Sequence, residues 1–295
     1  MKKVYILFHR CKARDIVVDN LKRHGLEVKF INVENALRKR NFNCVWWGGI
    51  FRHRIEDFIR FHDKKDVNKL YIENGLLCQK AGFYMDDFGY MSSSSIVEEK
   101  IDVNEEIKKR LDNHCIKHFN WNFFNENNKD GPILFCCQLN HDFTCNAFYK
   151  KVEGYRPLES AIKTLSNKYK NSEVIVRVHP RQKNKFNFMT DRNGVERYFG
   201  DSWSFMDSSV PLYDFILKCS KIIAINSTVL TEAATTKIDI EPLGEGCFSG
   251  ININKVEERL EYVSTVFNNQ VPYDYSGDLY DDFICFRRWF DNLIT

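Results

Sequence analysis

Hydrophobic and polar positions alternate along the chain in a way that predicts strands followed by helices. Short apolar runs suited to buried strands are separated by segments in which apolar residues return at helical spacing. In the first half, the predicted strands are residues 4–8, 27–33, 44–47 and 69–72, and the predicted helices are residues 13–24 and 55–61. Gly25 follows the first helix as a plausible stop.

The same alternation restarts in the second half of the chain. The predicted strands there are residues 133–137, 173–178 and 221–225, and the predicted helices are residues 158–169, 212–219 and 228–235. Alternation of this kind is typical of parallel sheets covered by helices. The Asn-rich segment 120–131, followed by Pro132, is the best candidate for a linker.

We therefore predict an α/β protein with two Rossmann-like domains facing each other across a cleft. The first domain is expected to cover residues 1–128 and the second residues 129–279. The terminal helix, residues 280–295, is expected to pack back on the first domain. Its amphipathic pattern also leaves open a peripheral contact with the cytoplasmic face of a membrane.

Composition and charge narrow the class of protein. With 295 residues, 43% of them hydrophobic, the chain can form two ordinary domains. A net charge of +3 is too balanced to indicate a nucleic-acid-binding protein. The ten cysteines contain no C-x-x-C pair, which argues against a zinc knuckle and favours reduced thiols in the cytoplasm. No segment has the length and apolar character of a signal peptide or a membrane span.

Polar side chains follow the predicted strands in an ordered series. The series consists of Glu73-Asn74-Gly75, Gln138-x-x-x-Asp142, His179-Pro180 and Ser227-Thr228. Ligands of parallel α/β sheets bind beyond the carboxyl ends of the strands. Acidic, imidazole and hydroxyl groups at these ends predict an enzyme that handles a nucleotide-linked phosphate.

Each motif on the second-domain side has a functional and a structural interpretation. His179 could donate to a phosphate oxygen or protonate a leaving group, or it could cap its strand. Ser227 and Thr228 could form an anion site at a helix N-terminus, or provide an ordinary helix cap. Glu232, one turn into that helix, could reach a ribose or face solvent.

The two carboxylates have similar alternatives. Glu73 could serve as base, acid or electrostatic stabiliser, or it could be a turn residue, with Gly75 permitting an unusual backbone angle. Asp142 could attack an anomeric carbon, as carboxylates do in retaining glycosyl transfer, or it could cap a helix. His141 has no suitably spaced partner, so we do not expect a metal site.

Three segments together resemble a known family. They are Tyr71-Ile-Glu-Asn-Gly-Leu-Leu, Met85-Asp-Asp-Phe-Gly-Tyr-Met-Ser and Leu134-Phe-Cys-Cys-Gln-Leu-Asn-His-Asp. With the later His-Pro and Ser-Thr elements, they are similar to the bacterial capsule-polysaccharide synthesis family that contains the retaining β-Kdo transferases, which have a GT-B architecture. Kdo is a 2-keto sugar acid, and these enzymes use CMP-Kdo as donor.

The resemblance implies a set of site residues. Asp142, Glu73 and His179 are the expected catalytic residues. The expected donor site comprises Gln138, Arg177, His179, Pro180, Ser227, Thr228 and Glu232. No cofactor and no metal are expected besides the CMP-activated donor, and the acceptor is expected to be a glycan or glycolipid.

In the implied mechanism, Asp142 forms a glycosyl-enzyme adduct and Glu73 deprotonates the acceptor. Two alternatives stay open. One is an inverting CMP-sialic acid sialyltransferase, in which Glu73 is the sole base. The other is a CDP-glycerol-type phosphotransferase or a non-catalytic capsule export module on the same fold.

Overall fold

A computed structural model describes residues 2–47, 51, 54–87, 101, 103–139, 145, 149, 156–181, 202–206 and 210–294. The chain divides into two compact units. Unit 1 comprises residues 1–103, 247–251 and 260–295, and unit 2 comprises residues 104–246 and 252–259. Each unit contains its own sheet.

The sheet of unit 1 has six strands in the order β11-β5-β4-β3-β1-β2. In chain order these strands are β1 (Lys3–Leu7), β2 (Glu27–Phe30), β3 (Phe42–Trp47), β4 (Val67–Asn74), β5 (Gly82–Asp86) and β11 (Gln270–Pro272). The four strands β2-β1-β3-β4 pair in parallel, whereas β5 and β11 are antiparallel to their neighbours. The sheet is therefore mixed, with its parallel part in the doubly wound arrangement.

The helices of unit 1 come from both ends of the chain. They are α1 (Lys12–Arg23), α2 (Val33–Arg38), α3 (Ile55–His62), α9 (Leu279–Asp282) and α10 (Ile284–Ile294). Gly25 ends α1 with a φ of +73°, which glycine adopts without strain. The aromatic side of α10, including Phe286 and Trp289, is buried in the same core as Val17 and Leu21 of α1. The amphipathic face of the terminal helix thus lies inside unit 1.

The sheet of unit 2 has five strands in the order β10-β9-β6-β7-β8, all parallel. The strands are β6 (Ile133–Cys136), β7 (Val174–Arg177), β8 (Trp203–Met206), β9 (Lys221–Ala224) and β10 (Asp239–Pro242). Numbered within the unit, this is the 3-2-1-4-5 order of a Rossmann fold. The strand order reverses between β6 and β9, which makes the carboxyl ends of these two strands the expected ligand crevice.

The helices that belong to unit 2 are α4 (Glu105–Phe119), α5 (Pro157–Lys168), α6 (Tyr213–Ile216) and α7 (Thr228–Ala233). The helix α8 (Val256–Asn268) begins in residues of unit 2 and ends in residues of unit 1. The core of unit 2 joins the strands to α5, whose Ala161, Ile162 and Leu165 are buried at helical spacing. Among the described residues, no helix is long and apolar enough to cross a membrane.

The observed division differs from the predicted boundary after residue 128. Unit 2 already begins at Asn104, because the end of α4 packs within it. Phe119 stacks on Trp121, both rings contact Tyr213, and the Trp121 indole donates to Thr235 Oγ1 at 3.1 Å. Residues 260–279, predicted for the second domain, belong to unit 1, because β11 pairs with β5.

Candidate active site at the strand ends

Glu73 lies near the carboxyl end of β4 and is held by three donors. Its Oε1 accepts hydrogen bonds from Trp47 Nε1 at 2.7 Å and from the Asn74 backbone N–H at 2.8 Å, and its Oε2 accepts from the Tyr71 hydroxyl at 2.9 Å. The Glu73 side chain is half-buried. A carboxylate held in this way is oriented and yet accessible, as a general base must be.

The loop after Glu73 is fixed by a side-chain amide. Gln270 Oε1 accepts from the Leu77 N–H at 2.9 Å, and Gln270 Nε2 donates to the Leu77 carbonyl at 2.6 Å. Gly75 does not have a positive φ, contrary to the expectation of an unusual backbone angle. Its lack of a side chain serves packing instead, because an added Cβ would lie 2.7 Å from Gln270 Oε1.

A second tyrosine–carboxylate pair lies on the neighbouring strand. The Tyr84 hydroxyl donates to Asp86 Oδ2 at 2.6 Å, and both residues are fully buried. Asp87 next to them forms a two-point ion pair with Arg288 of α10, at 2.6 and 2.9 Å. Burial raises the pKa of Asp87, and the Arg288 guanidinium opposes that effect. Both aspartates of the Met85-Asp-Asp segment therefore anchor the end of β5.

Tyr273 directly follows β11 and lies close enough to Glu73 to feel its charge. Burial raises the pKa of Tyr273, and the nearby Cys11 and Glu73 add to the shift. The Tyr273 N–H also donates to the Ala81 carbonyl at 3.1 Å, so its backbone is tied to the loop that follows Glu73. Its ring is half-buried.

In unit 2, Gln138 and Asn226 join the ends of β6 and β9. Gln138 Nε2 donates to Asn226 Oδ1, and the Asn226 backbone N–H donates to Gln138 Oε1, both at 2.9 Å. Gln138 is 8% exposed and Asn226 is 6% exposed. The pair lies at the reversal of strand order, where a Rossmann fold binds its ligand. Gln138, predicted to bind the donor, thus also locks the two strand ends together.

Arg177 is the last residue of β7, and His179 lies two residues after it. The Arg177 guanidinium is buried, and its Nη1 donates to the Val210 carbonyl at 2.7 Å and contacts Met206 Sδ at 3.2 Å. His179 is half-buried, and its Nδ1 accepts from the Arg181 N–H at 3.1 Å, while Pro180 is exposed. If Nδ1 is the acceptor, then the neutral ring carries its proton on Nε2.

Ser227 and Thr228 begin α7 directly after Asn226. Ser227 is the N-cap residue, and its hydroxyl accepts from the Val229 N–H at 3.4 Å. Both hydroxyl residues are half-buried. Glu232, by contrast, is 5% exposed and accepts a hydrogen bond from the Tyr213 hydroxyl at 3.0 Å. The carboxylate of Glu232 is therefore buried in the interior of unit 2.

Asp142 and His141 lie outside the described residues. Among the residues that are described, no group of three or more His, Cys, Asp or Glu side chains is arranged to hold a metal ion. All ten cysteines are free thiols. Burial raises the pKa of Cys136, at the end of β6, to about 12, so this thiol stays protonated at neutral pH.

The structure brings Gln138, His179, Ser227 and Thr228 to the carboxyl edge of one sheet, and it places Glu73 at the carboxyl end of β4 in the other. Sequence reasoning missed Trp47 and Tyr71 as partners of Glu73. Tyr71 has a recognisable signal, since it lies two residues before Glu73 on the same face of a strand. The Trp47 contact depends on the pairing of β3 with β4, which no local pattern reveals.

The fold is similar to that of two solved structures from Thermosulfurimonas dismutans. For the KpsC β-Kdo 2,7 transferase, the TM-score is 0.60 at 13% identity, and the match covers 92% of this chain and 96% of that one. For the KpsC β-Kdo 2,4 transferase, the TM-score is 0.51 at 10% identity, with 88% and 89% covered. The predicted resemblance is thereby confirmed at the level of the fold. No protein-family model and no curated protein matches the sequence.

Proposed function

We propose that the protein is a glycosyltransferase that moves Kdo from CMP-Kdo to a glycan or glycolipid acceptor. The observation that carries this proposal is the fold shared with two β-Kdo transferases along most of the chain. The motif series that resembles the same family supports it independently, because the two arguments use different features. Fold alone does not fix chemistry, so the proposal also assigns roles to the residues at the strand ends.

The donor nucleotide is assigned to unit 2. The reversal of strand order between β6 and β9 favours binding at their carboxyl ends, where Ser227, Thr228 and His179 supply hydroxyl and imidazole groups. Such neutral donors can bind a phosphate without a metal ion. In this proposal, Gln138 and Arg177 hold the surrounding backbone in place. Pro180 fixes the backbone after His179. Glu232 stabilises α7 through its hydrogen bond from the buried side of the helix.

The transfer is proposed to take two steps with net retention. Asp142 attacks C2 of the sugar, the bond from C2 to the phosphate oxygen breaks, and CMP leaves with the electron pair. An acceptor hydroxyl then attacks C2, and the electron pair returns to Asp142. Glu73 takes the hydroxyl proton. The role of Asp142 rests on the resemblance of the Gln138-x-x-x-Asp142 element.

Intact-mass measurement after mixing with CMP-Kdo tests the proposal. We expect CMP release and an adduct of one Kdo on the protein, and NMR of any transfer product should show retained anomeric configuration. Asp142→Ala should abolish the adduct and lower CMP release at least about 10³-fold. Asp130→Ala, an exposed aspartate of unit 2, is the matched control and should behave as the wild type.

Parallel incubations with CMP-sialic acid and CDP-glycerol separate the alternatives. CMP release from CMP-sialic acid with an inverted product, and with Asp142→Ala fully active, would refute the retaining assignment. Binding of no cytidine nucleotide in a thermal-shift measurement would indicate a non-catalytic module. We propose a cytoplasmic site of action, which the ten free thiols support.

A further inference from the structure

Within the described part of the chain, the hydrogen-bond donors to Glu73 lie on two neighbouring strands. Trp47 is the last residue of β3, which pairs in parallel with β4. Tyr71 lies two residues before Glu73 on β4, so both side chains share one face of the sheet. The donors to both carboxylate oxygens therefore come from regular structure, which holds side chains more precisely than loops do.

The two side chains are themselves held in place. Tyr71 is 2% exposed, and its ring lies 5.1 Å from the ring of Trp46. The half-buried Trp47 ring packs edge-on against Phe8, with 5.9 Å between the centroids. An indole N–H can only donate, so its bond to Glu73 Oε1 has one direction. Donors on both oxygens fix the plane of the carboxylate.

We propose that Trp47 and Tyr71 are positioning residues that aim the Glu73 carboxylate at a hydroxyl group of a saccharide acceptor. This inference rests on the proposed function and names the chemical group that Glu73 would bind, a neutral hydroxyl. A carboxylate accepts a hydrogen bond from a neutral hydroxyl and repels an anionic oxygen. Unit 1 should therefore bind the acceptor through a hydroxyl at this point.

The proton transfer defines what the two residues do. When the acceptor oxygen forms its bond to C2, the bond from C2 to Asp142 breaks and Asp142 regains its electron pair. The hydroxyl proton passes to Glu73, which later releases it to water. Adduct formation involves no acceptor hydroxyl. Loss of Trp47 or Tyr71 should thus slow the second step and spare the first.

Trp47→Phe and Tyr71→Phe each remove the hydrogen bond to Glu73 and keep an aromatic ring. With CMP-Kdo alone, water supplies the hydroxyl group that takes the sugar from Asp142, and both variants should release a burst of about one CMP per protein at the wild-type rate, while steady-state hydrolysis falls about 10-fold. The adduct should accumulate in the intact-mass spectrum. Trp289→Phe is the matched control. The buried Trp289 indole N–H has no hydrogen-bond partner in the described part of the chain, so this variant should keep wild-type turnover.

A double-mutant cycle with Glu73→Gln shows whether Trp47 acts through Glu73. If it does, Trp47→Phe should reduce turnover in the wild-type background and have little further effect beside Glu73→Gln. Equal fold-losses in both backgrounds would overturn the proposal, as would wild-type turnover of Trp47→Phe. Thermal melts identify any variant that fails to fold. If Tyr71→Phe does not fold, the result for Trp47→Phe alone decides the test. Absence of CMP release from the wild type would instead refute the proposed function itself.

Discussion

In unit 1 a carboxylate stands at the end of a strand, whereas in unit 2 the strand ends carry an amide pair, an imidazole and two hydroxyls. Glu73 accepts from an indole, a phenol and a backbone N–H. Gln138 and Asn226 bond to each other and carry no charge. In the proposed function, the edge of unit 2, which includes the buried Arg177 guanidinium at the end of β7, suits an anionic nucleotide, and the acidic edge of unit 1 suits a neutral hydroxyl.

A tyrosine–glutamate hydrogen bond occurs in both units, yet its surroundings differ. The Tyr71–Glu73 pair leaves Glu73 half-buried, whereas the Tyr213–Glu232 pair is packed so that Glu232 is 5% exposed. The same two residue types thus leave the carboxylate accessible in one unit and bury it in the other. The buried Glu232 needs its hydrogen bond to offset the cost of burial, because a buried carboxylate without a partner is strongly unfavourable.

The largest stability effect is expected at the amide pair of unit 2. Gln138→Leu removes both bonds to Asn226 and takes the Gln138 acceptor away from the buried Asn226 N–H, while the Asn226 side-chain oxygen keeps its contact with the Cys145 thiol at 3.5 Å. The free energy of unfolding should fall by about 3 kcal/mol, measured by urea denaturation. Lys109→Leu, at an exposed lysine of unit 2, is the control and should change it by less than about 0.5 kcal/mol. Equal effects at the two sites would show that the pair does not hold the strand ends.

An intermediate effect is expected at Gly75 in unit 1. In Gly75→Ala the new Cβ would lie 2.7 Å from Gln270 Oε1 and 2.9 Å from the Gly82 carbonyl. We expect a loss of about 2 kcal/mol in the free energy of unfolding, since overpacking forces neighbours to move. Gln270→Ala combined with Gly75→Ala should cost less than the two single changes added together. Additive costs would mean that Gln270 does not limit the space at Gly75.

The smallest effect on stability is expected at Glu241 on β10, a carboxylate of unit 2 that can be compared with the uncharged pair of Gln138 and Asn226. Glu241 Oε1 accepts from Lys168 Nζ at 2.7 Å, and its Oε2 accepts from the Tyr169 hydroxyl. Burial tends to raise the pKa of Glu241, but these bonds outweigh it and bring the pKa below the ordinary 4.5. Such a group stabilises the folded state above its ordinary pKa, and this contribution is lost as the pH falls through the lowered value.

Glu241→Gln should therefore destabilise the protein by about 1 kcal/mol at pH 7. The difference from wild type should shrink below pH 4.5, the ordinary value for this carboxyl. Urea denaturation of both proteins at pH 7 and at a series of lower pH values measures this difference in the free energy of unfolding. A difference that stays constant across this range would show that the ionised form of Glu241 is not what the two donors stabilise.

The local pattern of apolar and polar residues predicts much of this fold, but it predicts fewer of the contacts in the candidate site. The apolar runs at residues 133–137 and 221–225 coincide with β6 and β9, because buried parallel strands need continuous hydrophobic sequence. The antiparallel β5 and β11 were not predicted, since their pairing joins residues far apart in sequence. Glu73 stood out by its position after a strand. Its partner Trp47, and the bond from Gln138 to Asn226, depend on which strands lie side by side.

The assembly of unit 1 from both ends of the chain has a consequence for protein synthesis. Domains ordinarily fold as they leave the ribosome, beginning with the N-terminal one. Here the core around Val17 also needs Phe286 and Trp289, so unit 1 lacks part of its interior until α10 has been made. Every residue of unit 2 precedes residue 260. During translation, unit 2 can be complete while residues 1–103 of unit 1 still lack α10.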